Sequence, residues 1–203
     1  MALAATGAFV LLTVAMLGTA PGLLPGDGML HCWSVTHRPG VVLAFARAVT
    51  ATGTGAIPFV AVLLAGLCVR GTIRRRVVTA AALALCLGAG QILRYAVMTL
   101  VARPRPPRAD WATHASGWSF PSGHASTSAM TAGLLIAALY VRGPRVPPVA
   151  AVLIGMWGMA VGLSRVYLGV HWLSDVIGAW LFATAWLALS ACAYLLGSRR
   201  AAR

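Results

Sequence analysis

The stretch Ser164-Arg165-Val166-Tyr167-Leu168-Gly169-Val170-His171-Trp172-Leu173-Ser174-Asp175 puts an arginine, a histidine and an aspartate at the edge of a very apolar chain. His171 and Asp175 are four apart, so on a helix they share one face. The carboxylate can then hold the imidazole in one tautomer and raise its basicity. Arg165 lies just upstream of a Gly-containing bend and can fold back as a fixed cation. A held imidazole beside a planar cation suits attack on a phosphorus centre. Taken alone, the segment is equally readable as an ion pair capping a helix at a membrane edge.

Two further pieces favour the chemical reading. In Phe120-Pro121-Ser122-Gly123-His124, proline ends an extended loop and Ser-Gly permits a close backbone approach before a helix. The free N–H groups of that helix start, with the Ser122 hydroxyl, form an anion cradle. His124, in the first turn, can donate a proton to a leaving oxygen. In Arg103-Pro104-Arg105-Pro106-Pro107-Arg108, prolines stiffen the loop and guanidinium groups can clamp phosphate oxygens with paired donors. His31, His37 and His114 read as solvated or loop residues. Trp111 and Trp118 read as an aromatic belt or lid, and Trp172 as an interfacial anchor.

The elements that must position these groups are membrane helices. Of 203 residues 60% are hydrophobic, mean hydropathy is +0.84 and only 9% are charged, a composition that excludes an ordinary soluble domain. All 16 basic residues are Arg, and the only acidic ones are Asp27, Asp110 and Asp175. The net charge of +13 is scattered between apolar runs, so it reads as a topology signal and not as a nucleic-acid surface. Three scattered aspartates cannot assemble a multi-carboxylate metal site, and the four cysteines show neither zinc spacing nor a disulfide framework. The expectation is no metal and no cofactor.

Six spans are expected: Ala2 to Leu24 as a retained first helix, Ala56 to Val69, Val77 to Val101, His124 to Val141, Val149 to Leu163 and Trp172 to Leu196. Asp27 to Gly55 is expected to be a loop with a short interfacial helix. Ala125, Ser126, Ser128, Ala129 and Gly133 open the fourth span with small side chains suited to close helix contact. Six spans place both termini together with the turns holding Arg70, Arg74, Arg75, Arg76, Arg142 and Arg145, which makes that side cytoplasmic. The opposite side carries Arg38, Arg47, Arg103, Arg105, Arg108 and Arg165 against the rule. An anionic substrate bound on the outer face would account for them.

Arg-Pro, then Pro-Ser-Gly-His, then Ser-Arg, five residues, His, three residues, Asp: in that order the chain resembles the type 2 phosphatidic acid phosphatase (PAP2) superfamily over roughly residues 77–196. The resemblance implies one all-helical, six-span membrane domain over residues 1–203, with residues 1–76 giving the first two spans and an outer segment. It implies a metal-independent phosphatase acting on a lipid phosphate such as phosphatidic acid, phosphatidylglycerol phosphate or undecaprenyl pyrophosphate. His171 resembles the nucleophile that becomes phosphohistidine, Asp175 its orienting partner and His124 the general acid. Arg105, Arg165, Ser122 and the Gly123 amide resemble the phosphate cradle, with Arg103 a further candidate. A phosphotransferase would use the same residues. A lipid transporter or scramblase would need polar groups through the midplane of several helices, and only Arg94 lies deep in a span.

One departure stands out. The family's first motif is Lys, six residues, Arg-Pro, yet seven before Arg105 stands Met98. Arg94 lies one turn below Met98 on the same helical face, about 10 Å inside the end of its span at about 1.5 Å per residue. An unpaired arginine there is costly, so it should face the bundle or reach the site. Arg94 is the expected substitute for the missing lysine.

Overall fold

The computed structural model describes residues 2–18, 24–142 and 147–201. Among these residues the chain is all-helical. Its elements are α1 (Ala2–Gly18), α2 (Asp27–Thr36), α3 (Gly40–Ala51), α4 (Ala56–Leu67), α5 (Ile73–Val101), α6 (Gly123–Arg142), α7 (Pro148–Tyr167) and α8 (Leu173–Ala201), with a short 3-10 turn over Arg108–Asp110.

Local chemistry sets several boundaries. The Thr72 hydroxyl accepts from the Arg75 N–H and caps α5. That helix stops at Ala102, whose φ is 47°, because Arg103 precedes Pro104 and is disfavoured in a helix. Pro148 occupies the first turn of α7, where its missing N–H costs nothing.

Helices α5, α6, α7 and α8 are each long and apolar enough to cross a membrane. The expected second span is instead a pair, α3 and α4, bent by 55° at a short break. The expected first span is a 17-residue helix, about 25 Å long at 1.5 Å per residue; its Pro21-Gly22 end lies outside the described residues. The six expected crossings therefore appear as four unbroken spans, one bent pair and one shorter apolar helix. The region expected to be largely loop, residues 27–55, folds as α2 and α3. Pro39 starts α3, and the break after it falls at Gly53 and Gly55, the latter at φ +68°.

Helix α6 is central and contacts α4, α5, α7 and α8. Its small residues allow this. A Cβ at Gly133 would fall 2.3 Å from Leu187 Cδ1 of α8, and the Ser128 hydroxyl donates across to the Gly158 carbonyl of α7 at 3.2 Å. Val62, Leu87, Met130 and Phe182 fill the interior between α4, α5, α6 and α8. Large apolar side chains such as Leu85, Ile92 and Leu153 face outward, while Ser126, Thr131, Arg165 and Asp175 are buried. Apolar outside and polar inside is the inversion that a lipid solvent demands. Helix α2 lies against α7 and α8, and α3 against α7, so the N-terminal third braces the end of the bundle where the motif loops meet.

Candidate active site

His171 sits in the turn between α7 and α8 and is 1% exposed. Its Nδ1 lies 3.3 Å from Asp175 Oδ2. A carboxylate only accepts, so Nδ1 carries the proton and Nε2 keeps its lone pair. Asp175 is held from every side: Oδ2 also accepts from the Ser119 hydroxyl and the Trp172 N–H, and Oδ1 accepts from Arg103. Burial pushes the His171 imidazole down to about 4; the Asp175 hydrogen bond opposes this, and the Arg105 cation adds to it. The ring is therefore neutral and nucleophilic through the ordinary pH range.

Arg105 Nη1 donates to His171 Nε2 and to the Val170 carbonyl, both at 2.8 Å. Its Nε and Nη2 donate to the carbonyls of Gly117, Ser116 and Trp118. All five donors of this planar group are thus used, and they fold the 116–118 loop around His171. Arg165, from the last turn of α7, is 2% exposed and donates to the Thr50 hydroxyl of α3 at 3.1 Å. Arg94 extends up α5, with Nη1 3.2 Å from Met98 Sδ. Its Nη1 is also 3.6 Å from where a Cβ on Gly123 would sit, so it stands at the start of α6.

His124, His171, Arg94, Arg105, Arg165 and Gly123 line one cavity of about 370 Å³. Among the described residues, none of these three arginines forms an ion pair. Three guanidinium groups without a carboxylate, gathered in a recess, call for an anion of more than one negative charge. Gln91, Tyr95, Thr54 and Thr127 extend the lining, which makes room for a polar group beyond a phosphate. Among the described residues no group of three or more His, Cys, Asp or Glu side chains is placed to hold a metal ion.

A family model described as the PAP2 superfamily matches residues 77–197. The chain belongs to the PAP2 superfamily.

Two curated relatives and one solved structure are similar to this PAP2 chain. A phosphatidylglycerophosphatase B from Bacillus subtilis is 33% identical over 97 residues, covering 46% of this chain and 47% of its own length. A decaprenylphosphoryl-5-phosphoribose phosphatase from Mycolicibacterium smegmatis is 35% identical over 153 residues, 71% of this chain and 74% of its own length. The chain thus spans about half of the first and about three quarters of the second. The crystal structure of a transmembrane PAP2-type phosphatidylglycerolphosphate phosphatase from Bacillus subtilis matches over 93% of both chains, with a TM-score of 0.80 and 23% identity; at that identity the likeness speaks for the fold.

Against the sequence-based PAP2 assignments, the structure brings His124, His171, Asp175, Arg105, Arg165, Gly123 and Arg94 to one end of the bundle. It places two others differently. Arg103, expected as a further phosphate ligand, is 3% exposed and turns to Asp175 and Asp27, because two buried carboxylates compete for it more strongly than an open recess does. Ser122 is fully buried, with its hydroxyl unpartnered by the protein and absent from the cavity lining. Its carbonyl, not its side chain, engages α6 by accepting from Ser126 N–H at 2.9 Å. His31, expected to be solvated, is buried against Trp172 and 2.9 Å from Asp110 Oδ2. The loop residue His114 lines the cavity.

The structure also revises why this end of the bundle is rich in arginine. Arg38 and Arg47 donate to the carbonyls of Asp110 and Ala112, and Arg108 lies over the Trp111 ring. These are braces for the motif loop and leave only Arg105 and Arg165 of that group at the cavity. Sequence reasoning missed Asp27, Ser119 and Ser174. Asp27 carried a usable signal, as one of three acidic residues in an apolar chain, where a charge needs a reason.

Proposed function

We propose that this PAP2 protein is a membrane lipid phosphatase that cleaves a phosphomonoester or diphosphate through a phosphohistidine. The observation that supports it most directly is the single recess shared by two histidines and three arginines without carboxylate partners. The outer face is the proposed location of the site, with both termini cytoplasmic, because Arg70 in the α4–α5 turn and Arg74, Arg75 and Arg76 in the first turn of α5 lie at the end opposite the recess.

In the first step His171 Nε2 forms a bond to phosphorus as the bond from phosphorus to the leaving oxygen breaks. His124, protonated once the anionic phosphoryl group lies beside it, gives that oxygen its proton. Arg94, Arg105, Arg165 and the amides at the start of α6 carry the charge on the three equatorial oxygens. Asp175 balances the imidazole once it becomes cationic. In the second step a water oxygen bonds to phosphorus, the nitrogen–phosphorus bond breaks and His124 takes the water's proton. Arg105 hydrogen-bonds to His171 Nε2, so substrate must draw one of its donors onto a phosphoryl oxygen before attack.

The substrate class is a lipid with a terminal phosphate: phosphatidic acid, phosphatidylglycerol phosphate or undecaprenyl pyrophosphate. Pockets of about 300–1,000 Å³ enclose small molecules, and the polar extension along Gln91 and Thr54 favours a phosphate borne on a hydroxylated headgroup. The names of the two relatives, one a glycerophosphate and one a phosphoribose lipid, agree with that preference.

Phosphate release from these lipids, presented in mixed micelles, tests the proposal. Release from at least one is expected, unchanged by EDTA and blocked by vanadate. Loss of release with EDTA, or no release from any, overturns it. The pH profile gives a second check. His171 is held below its ordinary value of 6.5, so protonation removes the nucleophile only as pH falls through about 4. After correction for substrate ionisation, kcat/KM should keep its histidine acid limb near that value. A limb between about 6 and 7 would show an unperturbed imidazole instead.

A further inference from the structure

Asp27 lies at the start of α2, outside the residues matched by the family model, yet it reaches the back of the catalytic histidine. Its Oδ2 accepts from Arg103 Nη2 at 2.8 Å, from the Ser174 hydroxyl at 2.6 Å and from the Leu24 N–H at 3.1 Å. Its Oδ1 accepts from the Ser174 N–H at 2.9 Å, at the start of α8. Arg103 Nη1 goes the other way, to Asp175 Oδ1 and to the Ser174 hydroxyl. The three ionic side chains Asp27, Arg103 and Asp175 are 1%, 2% and 0% exposed.

One guanidinium between two carboxylates leaves a single net negative charge. Were Asp27 neutral, Arg103 would cancel Asp175 alone, and a cationic imidazole would form next to a neutral pair. With Asp27 charged, the cluster carries one negative charge behind His171, matched by the positive charge that appears when Nε2 bonds to phosphorus. Burial makes this balance count, because charge interactions deepen as water is excluded.

We propose that Asp27 is a positioning residue for catalysis: by sharing Arg103 with Asp175, it keeps the net negative charge that favours His171 in its cationic, phosphorus-bonded state. The inference rests on the phosphatase reading above. It concerns one half-reaction property, stabilisation of the charged imidazole, and not ground-state binding of the anion.

The test uses the full chain in nanodiscs and compares Asp27→Asn and Asp27→Glu with the unaltered protein. Vanadate bonds to a histidine nitrogen and makes the ring cationic, whereas inorganic phosphate binds without that bond. Asp27→Asn should weaken vanadate by about tenfold or more and lower kcat by about 10–100-fold, with phosphate affinity and KM within about twofold. Asp27→Glu, which keeps the charge, should hold vanadate within about threefold of the unaltered protein. A folded Asp27→Asn protein with an unchanged ratio of vanadate to phosphate affinity overturns the inference, as does a parallel loss of both affinities. Should Asp27→Asn fail to fold, Asp27→Glu decides: a kept ratio supports the inference and a lost ratio overturns it. An unaltered protein that neither hydrolyses any of the lipids nor binds vanadate would instead overturn the phosphatase reading itself.

Discussion

His171→Ala should abolish turnover, on the order of 10⁴-fold or more in kcat, while the protein still binds vanadate-free phosphate near its original affinity. The split follows from the geometry. On the proposed mechanism the imidazole supplies the bond to phosphorus, and among the described residues nothing else in the recess is a comparable nucleophile placed by a buried carboxylate. Anion binding falls to other groups. Arg105 loses one acceptor with the ring but keeps the four carbonyls of Val170, Ser116, Gly117 and Trp118, so its guanidinium stays in place. Arg165 is fixed from α3 through Thr50. Rapid acid-free quenching with labelled substrate should trap a phosphorylated protein in the unaltered chain and none in the variant. Substantial hydrolysis by His171→Ala would remove this residue from the nucleophile's role.

The second large effect concerns Arg94. Arg94→Ala should lower kcat/KM by about 10²–10³-fold, the range for losing one donor aimed at developing charge. The double variant Arg94→Ala with Met98→Lys should recover most of it. The reason is positional. Arg94 starts one turn deeper on α5, yet its Nη1 reaches the Met98 sulfur and the start of α6 beside Gly123. A longer side chain from residue 94 thus delivers a cation to the place that a lysine at 98 would serve. Ile92→Ala is the control, since Ile92 is 74% exposed on the lipid-facing side. If Arg94→Ala costs no more than Ile92→Ala, the arginine is structural and the substitution idea fails.

How much of this was legible in the chain depends on the range of the interactions involved. The pairing of His171 with Asp175 follows from a spacing of four and holds at 3.3 Å. The start of α6 at Gly123 follows from Pro-Ser-Gly, and the spans over α5 to α8 from runs of apolar residues too long for a soluble helix. Arg94 was marked by the cost of burying a lone charge. These are local or solvent-driven features, written within a few residues of one another.

The partners of Arg103 were not legible. Two Arg-Pro steps, at 103 and 105, look alike in sequence, and only packing separates them. Arg105 meets His171 and the 116–118 loop, while Arg103 meets Asp175 and an aspartate 76 residues away in the chain. The same holds for Ser174 and Asp27, 147 residues apart, and for α2 and α3, whose polar side chains find their partners on α7, α8 and the loop between α5 and α6. Sequence by itself determined a helical membrane protein with a phosphate-directed set of side chains and the order in which they occur. Tertiary structure decided which cations stay open to an anion and which are consumed by buried carboxylates. That choice depends on which charges share a water-free space, and a guanidinium there is claimed by the nearest carboxylate whatever its distance along the chain.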